Sequence, residues 1–255
     1  MALRSLQKWH GAGNDFLVEV SDDGLAPWWD ERRARAACDR TTGVGADGLL
    51  LATIGSEVRM VLYNADGTQA EMSGNGIRCL AAAVRRATNG AWDTLDVETV
   101  AGTRTVTLKM EETSGYGSVA MGAVSFGATL PGTLGVAFVG NPHVVVRDDA
   151  KWTDVMREEL AEDLSSQMDG ANVEFLSVES DDHLSIAVIE RGVGWTQACG
   201  TGSCAVAAVA RREGMCGNDV TVHNAGGDLR VTLDGDEATL SGPVQFVANV
   251  EWLEA

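Results

Sequence analysis

Short apolar runs interleaved with polar residues dominate the chain, and most are bounded by Gly, Asn or Asp. Such runs predict β-strands closed by turns. They cover residues 16–20, 49–52, 58–63, 95–99, 104–108, 136–139, 144–146, 174–178, 183–188, 219–223, 229–233 and 238–242, with a further strand over 244–252. Helical periodicity is rarer. Glu31–Ala37 predicts a short helix ending before the Gly43-Val44-Gly45 loop, and Trp152–Leu164 a weaker acidic one. The two strongest helical patterns, Gly76–Arg86 and Gly202–Arg212, are Ala-rich and apolar nearly all round. A helix of that kind is buried, and its small side chains permit close packing. The expected fold is therefore α/β (α+β), each half a curved, mainly antiparallel sheet wrapped around one central helix. The halves are expected to meet near Gly115–Val124, a Gly/Ser-rich stretch of low hydrophobicity. That gives an N-terminal half over 1–117 and a C-terminal half over 118–255, with the last strand free to return to either.

The two strong helices are near-copies. Ser73-Gly74-Asn75-Gly76 opens the first and Cys199-Gly200-Thr201-Gly202 the second, and an offset of 126 residues also aligns Ala81-Ala82 with Ala207-Ala208 and Arg85-Arg86 with Arg211-Arg212. Ser73 thus falls on Cys199. The first N–H groups of a helix lack partners inside it, so they bind anions and stabilise a thiolate, and helix N-termini lower a thiol's pKa. Taken alone, Gly-x-Gly is equally a plain helix cap; its repetition with polar flanks turns the expectation towards a site. Two facing acid/base groups, one per half, suit inversion at a single carbon. Cys79 and Cys204 lie on buried-type stripes and read as core.

Composition narrows the classes. The 255 residues are 45% hydrophobic and 22% charged, and the formal charge of −18 disfavours non-specific binding to nucleic acid or anionic membranes. No run approaches the ~18 apolar residues of a membrane-spanning helix, and Met1–Lys8 has no signal-peptide apolar region. A cytoplasmic location is expected. The five cysteines form no Cys-x-x-Cys and do not pair with the four histidines at zinc spacing, so free thiols and no metal are expected.

Five segments are unusually polar and Gly-rich: His10-Gly-Ala-Gly-Asn-Asp-Phe16, Tyr63-Asn-Ala-Asp-Gly67, Gly140-Asn-Pro-His143, Ala171-Asn-Val-Glu174 and Glu190-Arg-Gly192. Each Asn is explicable as a turn former. Together with Glu190 and Arg191 they are also what a zwitterionic amino acid requires, since Arg binds carboxylate bidentately. With Gly43-Val-Gly-Ala-Asp47, Thr196-Gln-Ala-Cys-Gly-Thr-Gly202 and Leu240-Ser-Gly-Pro-Val244, in this order over essentially the whole chain, the sequence resembles the diaminopimelate epimerase family.

The resemblance implies two pseudo-symmetric halves with the site in the cleft between them, a cytoplasmic homodimer, and no pyridoxal phosphate or metal. It implies interconversion of LL- and meso-diaminopimelate by two cysteines on opposite faces of the α-carbon, in the lysine and cell-wall precursor pathway. By position, Cys199 is one acid/base and Ser73 stands in the place of the other. His143 and Glu190 would tune the reacting groups, while Asn14, Asn64, Gly74, Asn75, Asn141, Asn172, Arg191, Gly200 and Thr201 would hold the substrate.

Three departures matter. Ser73 replaces the family's first cysteine, and a hydroxyl is a poor base unless another group activates it. Ser73 can form an asymmetric pair with Cys199, assisted by His143 or Glu190. The chain can instead have moved to proline-type or hydroxyproline-type epimerase or dehydratase chemistry, or bind an amino acid without turning it over. Trp195 stands where the family often has Glu and is expected to pack under the elbow. Gly48 replaces a Gln seen in some members.

Overall fold

The computed structural model describes residues 3–22 and 28–253, which form two compact units, one of residues 3–22, 28–119 and 242–253 and the other of residues 120–241.

Unit 1 is built from β1 (Leu3–Gly11), β2 (Asn14–Asp22), α1 (Glu31–Cys38), β3 (Gly48–Ile54), β4 (Val58–Asn64), β5 (Gln69–Ala70), α2 (Gly74–Ala87), β6 (Thr94–Thr99), β7 (Gly102–Met110) and the start of β8 (Ser114–Ala123). Unit 2 continues through β9 (Ser125–Phe126), β10 (Gly135–Phe138), β11 (Pro142–Arg147), α3 (Asp154–Gln167), β12 (Asn172–Val178), β13 (His183–Glu190), β14 (Gly194–Trp195), α4 (Gly200–Arg212), β15 (Asp219–Asn224), β16 (Gly227–Asp234) and the start of β17 (Glu237–Leu253).

In unit 1 the pairings run β17–β1–β2–β3–β4–β6–β7–β8 and return to β17, an eight-stranded closed barrel. Closure removes the unpaired edges that an open sheet exposes. Helix α2 packs against β1, β2, β3, β4, β6 and β7, which makes it the core of the barrel. Its Ile77, Cys79 and Leu80 through Val84 are buried, as the all-round apolar pattern requires. Unit 2 repeats the plan. Strands β9 to β13, β15, β16 and β17 pair in series, and α4 packs against β10, β11, β12, β13, β15 and β16. Cys79 and Cys204 have no exposed surface and are core residues. The expected class of mixed sheets, each wound around one helix, is the one observed. Among the described residues no helix is long and apolar enough to cross a membrane.

Besides the two-residue strands β5, β9 and β14, three elements differ from expectation. The Gly/Ser-rich stretch at 115–124 is strand β8, in which Val119 and Met121 are buried. Gly117 is needed there because a Cβ would lie 3.0 Å from Cδ of the buried Arg78. Strand β1 occupies residues where charge broke the apolar alternation: Lys8 pairs with Asp15 at 2.9 Å, and its neighbours Leu6 and Trp9 are buried. The two C-terminal runs are one strand, β17. Residues 237–241 pair with β16 and 245–253 with β1, so Pro243, which has no N–H, sits where the strand changes partner.

Candidate functional site

Helix α4 follows β13 after a short connection that includes β14. Gly192 and Gly194, with φ of 76° and 89°, turn the chain through β14 to Cys199, which has extended backbone (φ −117°, ψ 113°) and caps the helix. The Gly202 N–H donates to Cys199 Sγ at 3.4 Å, and Thr201 Oγ1 lies 3.5 Å from the sulfur. The elbow is fixed from behind by Asn224, a residue that belongs to none of the motifs named above. Its Oδ1 accepts from the Cys199 N–H at 3.3 Å, and its Nδ2 donates to Ser203 Oγ at 3.2 Å. Ser203 in turn donates to the Cys199 carbonyl at 2.8 Å.

Two carboxylates lie near this thiol. Glu190, at the end of β13, accepts from Thr196 Oγ1 at 2.8 Å and is close enough to Cys199 for its charge to act on the thiol. Glu174, on β12, is wholly buried, and its Oε1 is 2.6 Å from His143 Nδ1. His143 Nε2 lies 3.0 Å from Asn141 Oδ1. Asn172, two residues before Glu174, accepts the Arg191 N–H at 2.9 Å, while the Arg191 side chain is exposed and reaches the Gly170 carbonyl at 3.4 Å. His143, Asn141, Asn172, Glu190, Arg191, Gly200 and Thr201 thus gather within unit 2 around Cys199, together with Glu174 and Asn224.

The electrostatics reverse one expectation. Burial, followed by the Glu190 and Glu174 carboxylates, pushes the Cys199 thiol well above its ordinary value; Thr201 and the Gly202 N–H pull the other way and lose. The helix N-terminus does not produce a thiolate in this setting, because removing the sulfur from water beside two acids disfavours the anion more. Glu190 is likewise raised, first by burial and then by Glu174, against the hydrogen bond from Thr196.

The Ser73 elbow has the same backbone. Ser73 caps α2 with extended geometry (φ −137°, ψ 124°), and its Oγ accepts from the Gly76 N–H at 3.0 Å. Asn75 is buried; its Nδ2 donates to Asn14 Oδ1 at 3.3 Å, and its Oδ1 accepts from the buried Arg78 at 2.8 Å. Asn14 donates to Asp47 at 2.8 Å, and Arg40 clamps Asp47 and Asp15 at 2.7 and 2.6 Å. Asn14, Gly74 and Asn75 are therefore one connected group beside Ser73. Asn64 donates to Thr68 Oγ1 at 3.1 Å within its own turn, and the next residue, Ala65, donates its N–H to the Asp47 carbonyl at 3.0 Å.

The floor of this elbow is aromatic. A Cβ at Gly76 would lie 3.3 Å from Phe16 Cζ. A Cβ at Gly48 would lie 2.8 Å from the Tyr63 carbonyl and 3.2 Å from the Phe16 ring, so position 48 has no room for a side chain unless the strand shifts. Among the described residues no carboxylate or imidazole accepts from the Ser73 hydroxyl. Both ring nitrogens of His143 are engaged within unit 2.

Trp195 does not pack under the elbow. It is 40% exposed, its Nε1 donates to Glu158 at 2.6 Å, and it lines a cavity of about 330 Å³ with Thr196, Gln197, His223 and Asn224. The strand β14 carrying it is only two residues long and pairs on one side, which turns the ring outward. Among the described residues no three His, Cys, Asp or Glu side chains are arranged to hold a metal ion.

The sequence profile of the family described as "Diaminopimelate epimerase" matches residues 6–127 and 135–247. Proteins named diaminopimelate epimerase from Archaeoglobus fulgidus and Halothermothrix orenii are 37% and 33% identical to the chain. The first comparison covers 92% of this chain and 91% of the relative, the second 95% of each. Among solved structures, a predicted epimerase from Pseudomonas aeruginosa superposes with a TM-score of 0.78 at 15% identity, over 99% of this chain and all of that one. A hydroxyproline epimerase from Agrobacterium vitis, solved with bound trans-4-hydroxy-L-proline, gives 0.74 at 15% over 99% and 91%. These two likenesses concern the fold.

Proposed function

Because the chain belongs to the diaminopimelate epimerase family, we propose that it is a cofactor-independent epimerase that interconverts LL- and meso-diaminopimelate by moving the α-proton. Cys199 and Ser73 are the two proton-transfer groups in this reading. The observation that carries it is the Cys199 elbow, where a buried thiol lies beside a buried carboxylate whose proton affinity is also raised.

That pair answers the difficulty of a thiol that resists ionisation. As a thiol, Cys199 donates its proton to an α-carbanion. To act as a base it must first release the proton, and Glu190 is the neighbouring carboxylate, raised towards the range in which it can accept. The N–H groups of Gly200 and Thr201 at the start of α4 and the Arg191 guanidinium supply donors for the α-carboxylate. Preorganised donors of this kind lower the cost of the carbanion by several kcal/mol. Asn14, Asn75 and Gly74 on the Ser73 side, with Asn64, Asn141 and Asn172, complete the substrate contacts of this proposal. The same reading takes the enzyme to be a cytoplasmic homodimer that uses neither pyridoxal phosphate nor metal.

A second reading draws on the Ser73 elbow, whose Phe16 floor and lack of a basic neighbour favour a form that binds the amino acid without inverting it. α-Proton exchange separates the two. The protein is incubated with LL-diaminopimelate in D₂O beside a Ser73→Cys variant, and the α-signal and stereochemistry are followed by NMR. Exchange with inversion in the unaltered protein is the expected result. Inversion only in Ser73→Cys establishes the second reading, and absence of exchange in both proteins rejects the epimerase.

A further inference from the structure

Glu174 is the least expected residue of unit 2. Residues 172–176 of β12 are all buried, and the neighbours of Glu174 along the strand are Val173 and Phe175. A wholly buried carboxylate in such a strand is expensive unless its oxygens are satisfied. Only Oε1 is, by His143; Oε2 has no partner among the described residues. An ion pair kept for stability alone would be better served by two bonded oxygens or by an apolar side chain.

Its location supplies a different reason. A Cβ placed on Gly202 would lie 2.6 Å from Glu174 Oε1 and 3.2 Å from Cys199 Sγ. The carboxylate oxygen and the sulfur are therefore no more than 5.8 Å apart, with the first turn of α4 over both. Position 202 must be Gly for the two groups to share that corner.

We propose that Glu174 is a positioning residue for proton transfer at Cys199: it fixes the His143 ring between itself and Asn141 and places a negative group beneath the sulfur. The first part follows from the two ring contacts. With Nδ1 held by the carboxylate, Nε2 faces Asn141 Oδ1 and the ring cannot turn without breaking both bonds. The second part follows from the charges around the thiol. Glu190 faces it from β13, Glu174 from β12 and His143 from β11, while Asn224 on β15 and the first turn of α4 contribute only neutral groups. Glu174 thus helps to keep the proton on sulfur until substrate arrives, which makes Cys199 start as the acid. The role in turnover rests on the epimerase reading; the arrangement of the groups does not.

The test is Glu174→Gln, which keeps the shape and removes the charge. Alkylation of Cys199 by iodoacetamide, followed on its own peptide by mass spectrometry across pH, reads the thiolate without any substrate. The expected result is alkylation at least about tenfold faster near neutral pH, with the profile moved to lower pH, because one negative charge within 6 Å has gone. Turnover of diaminopimelate should lose kcat with KM little changed. An unchanged alkylation profile in folded Glu174→Gln overturns the proposal. If neither protein turns over diaminopimelate while the alkylation profile moves, the substrate assignment fails and the role of Glu174 stands. A measurement on the unaltered protein guards against a variant that does not fold. His143 is the one fully buried histidine among the described residues, so its Nδ1–H should give a slowly exchanging, downfield NMR signal. Absence of that signal also overturns the proposal.

Discussion

Ser73 and Cys199 each cap a helix, each accept the N–H three residues on, and each lie nine residues past the end of a strand, at Asn64 and Glu190. The groups beneath them differ in kind. Under Cys199 is Glu174, paired with His143, and Glu190 lies beside it. Under Ser73 is the Phe16 ring, with Asn14, Asn75 and Arg78 alongside, and the position matching Glu190 is Asn64. The duplication fixed two equivalent backbones, and titratable chemistry was built on one of them. A fold repeat is therefore a guide to where reacting groups sit and a poor guide to how they are activated.

The largest effect on this contrast should come from Cys199→Ala. It removes the one reacting group with acidic neighbours, and α-proton exchange should fall by at least ~10³-fold; exchange near the unaltered rate would break the comparison. Ser73→Cys should make the elbows more alike and raise turnover on the order of 10²-fold, the typical contribution of a working acid/base group. Glu190→Gln should lower kcat by roughly 10-fold. In the unaltered enzyme, burial raises Glu190, so activity needing its ionised form should be lost as pH falls, at a pH above the ordinary value of 4.5. That acid limb should be absent in Glu190→Gln. The smallest effects are structural. Gly202→Ala meets a carboxylate oxygen at 2.6 Å, and Gly76→Ala meets Ser73 and Phe16 at 3.1–3.3 Å. Overpacking costs about 1–3 kcal/mol, and denaturant melts should place Gly202→Ala at the costlier end.

Much of this was legible in the chain. The Ala-rich repeats announced two central helices, and the alternating runs announced most strands, because burial on one face imposes a period of two. Strand β8 escaped notice because its Gly117 answers to Arg78, a neighbour that only the fold brings near. Strand β1 escaped because Lys8 and His10 interrupt its apolar pattern, although Lys8 is tied to Asp15. At the site, the Gly-x-Gly elbows and the Asn-rich turns were visible, and so was the family resemblance. Glu174 was not separable from its surroundings. A single acid in an apolar strand ordinarily faces water, and only the packing of β12 between β11, β13 and α4 puts it inside. Trp195 was misplaced for the opposite reason, since a large aromatic beside an elbow suggests packing, and its strand is too short to bury it.

The route of β17 bears on how the chain emerges from a ribosome. Unit 2 is a single continuous stretch, 120–241, so every stave of its own sheet is available once that stretch has been made. Unit 1 draws its first seven staves from the first half of the chain and the eighth from residues 242–253. Its barrel must wait, open along β1 and β8, through the synthesis of all of unit 2. The earliest part of the chain to be translated is thus the last to be sealed, and during that interval its unpaired edges are the ones that need protection from aggregation.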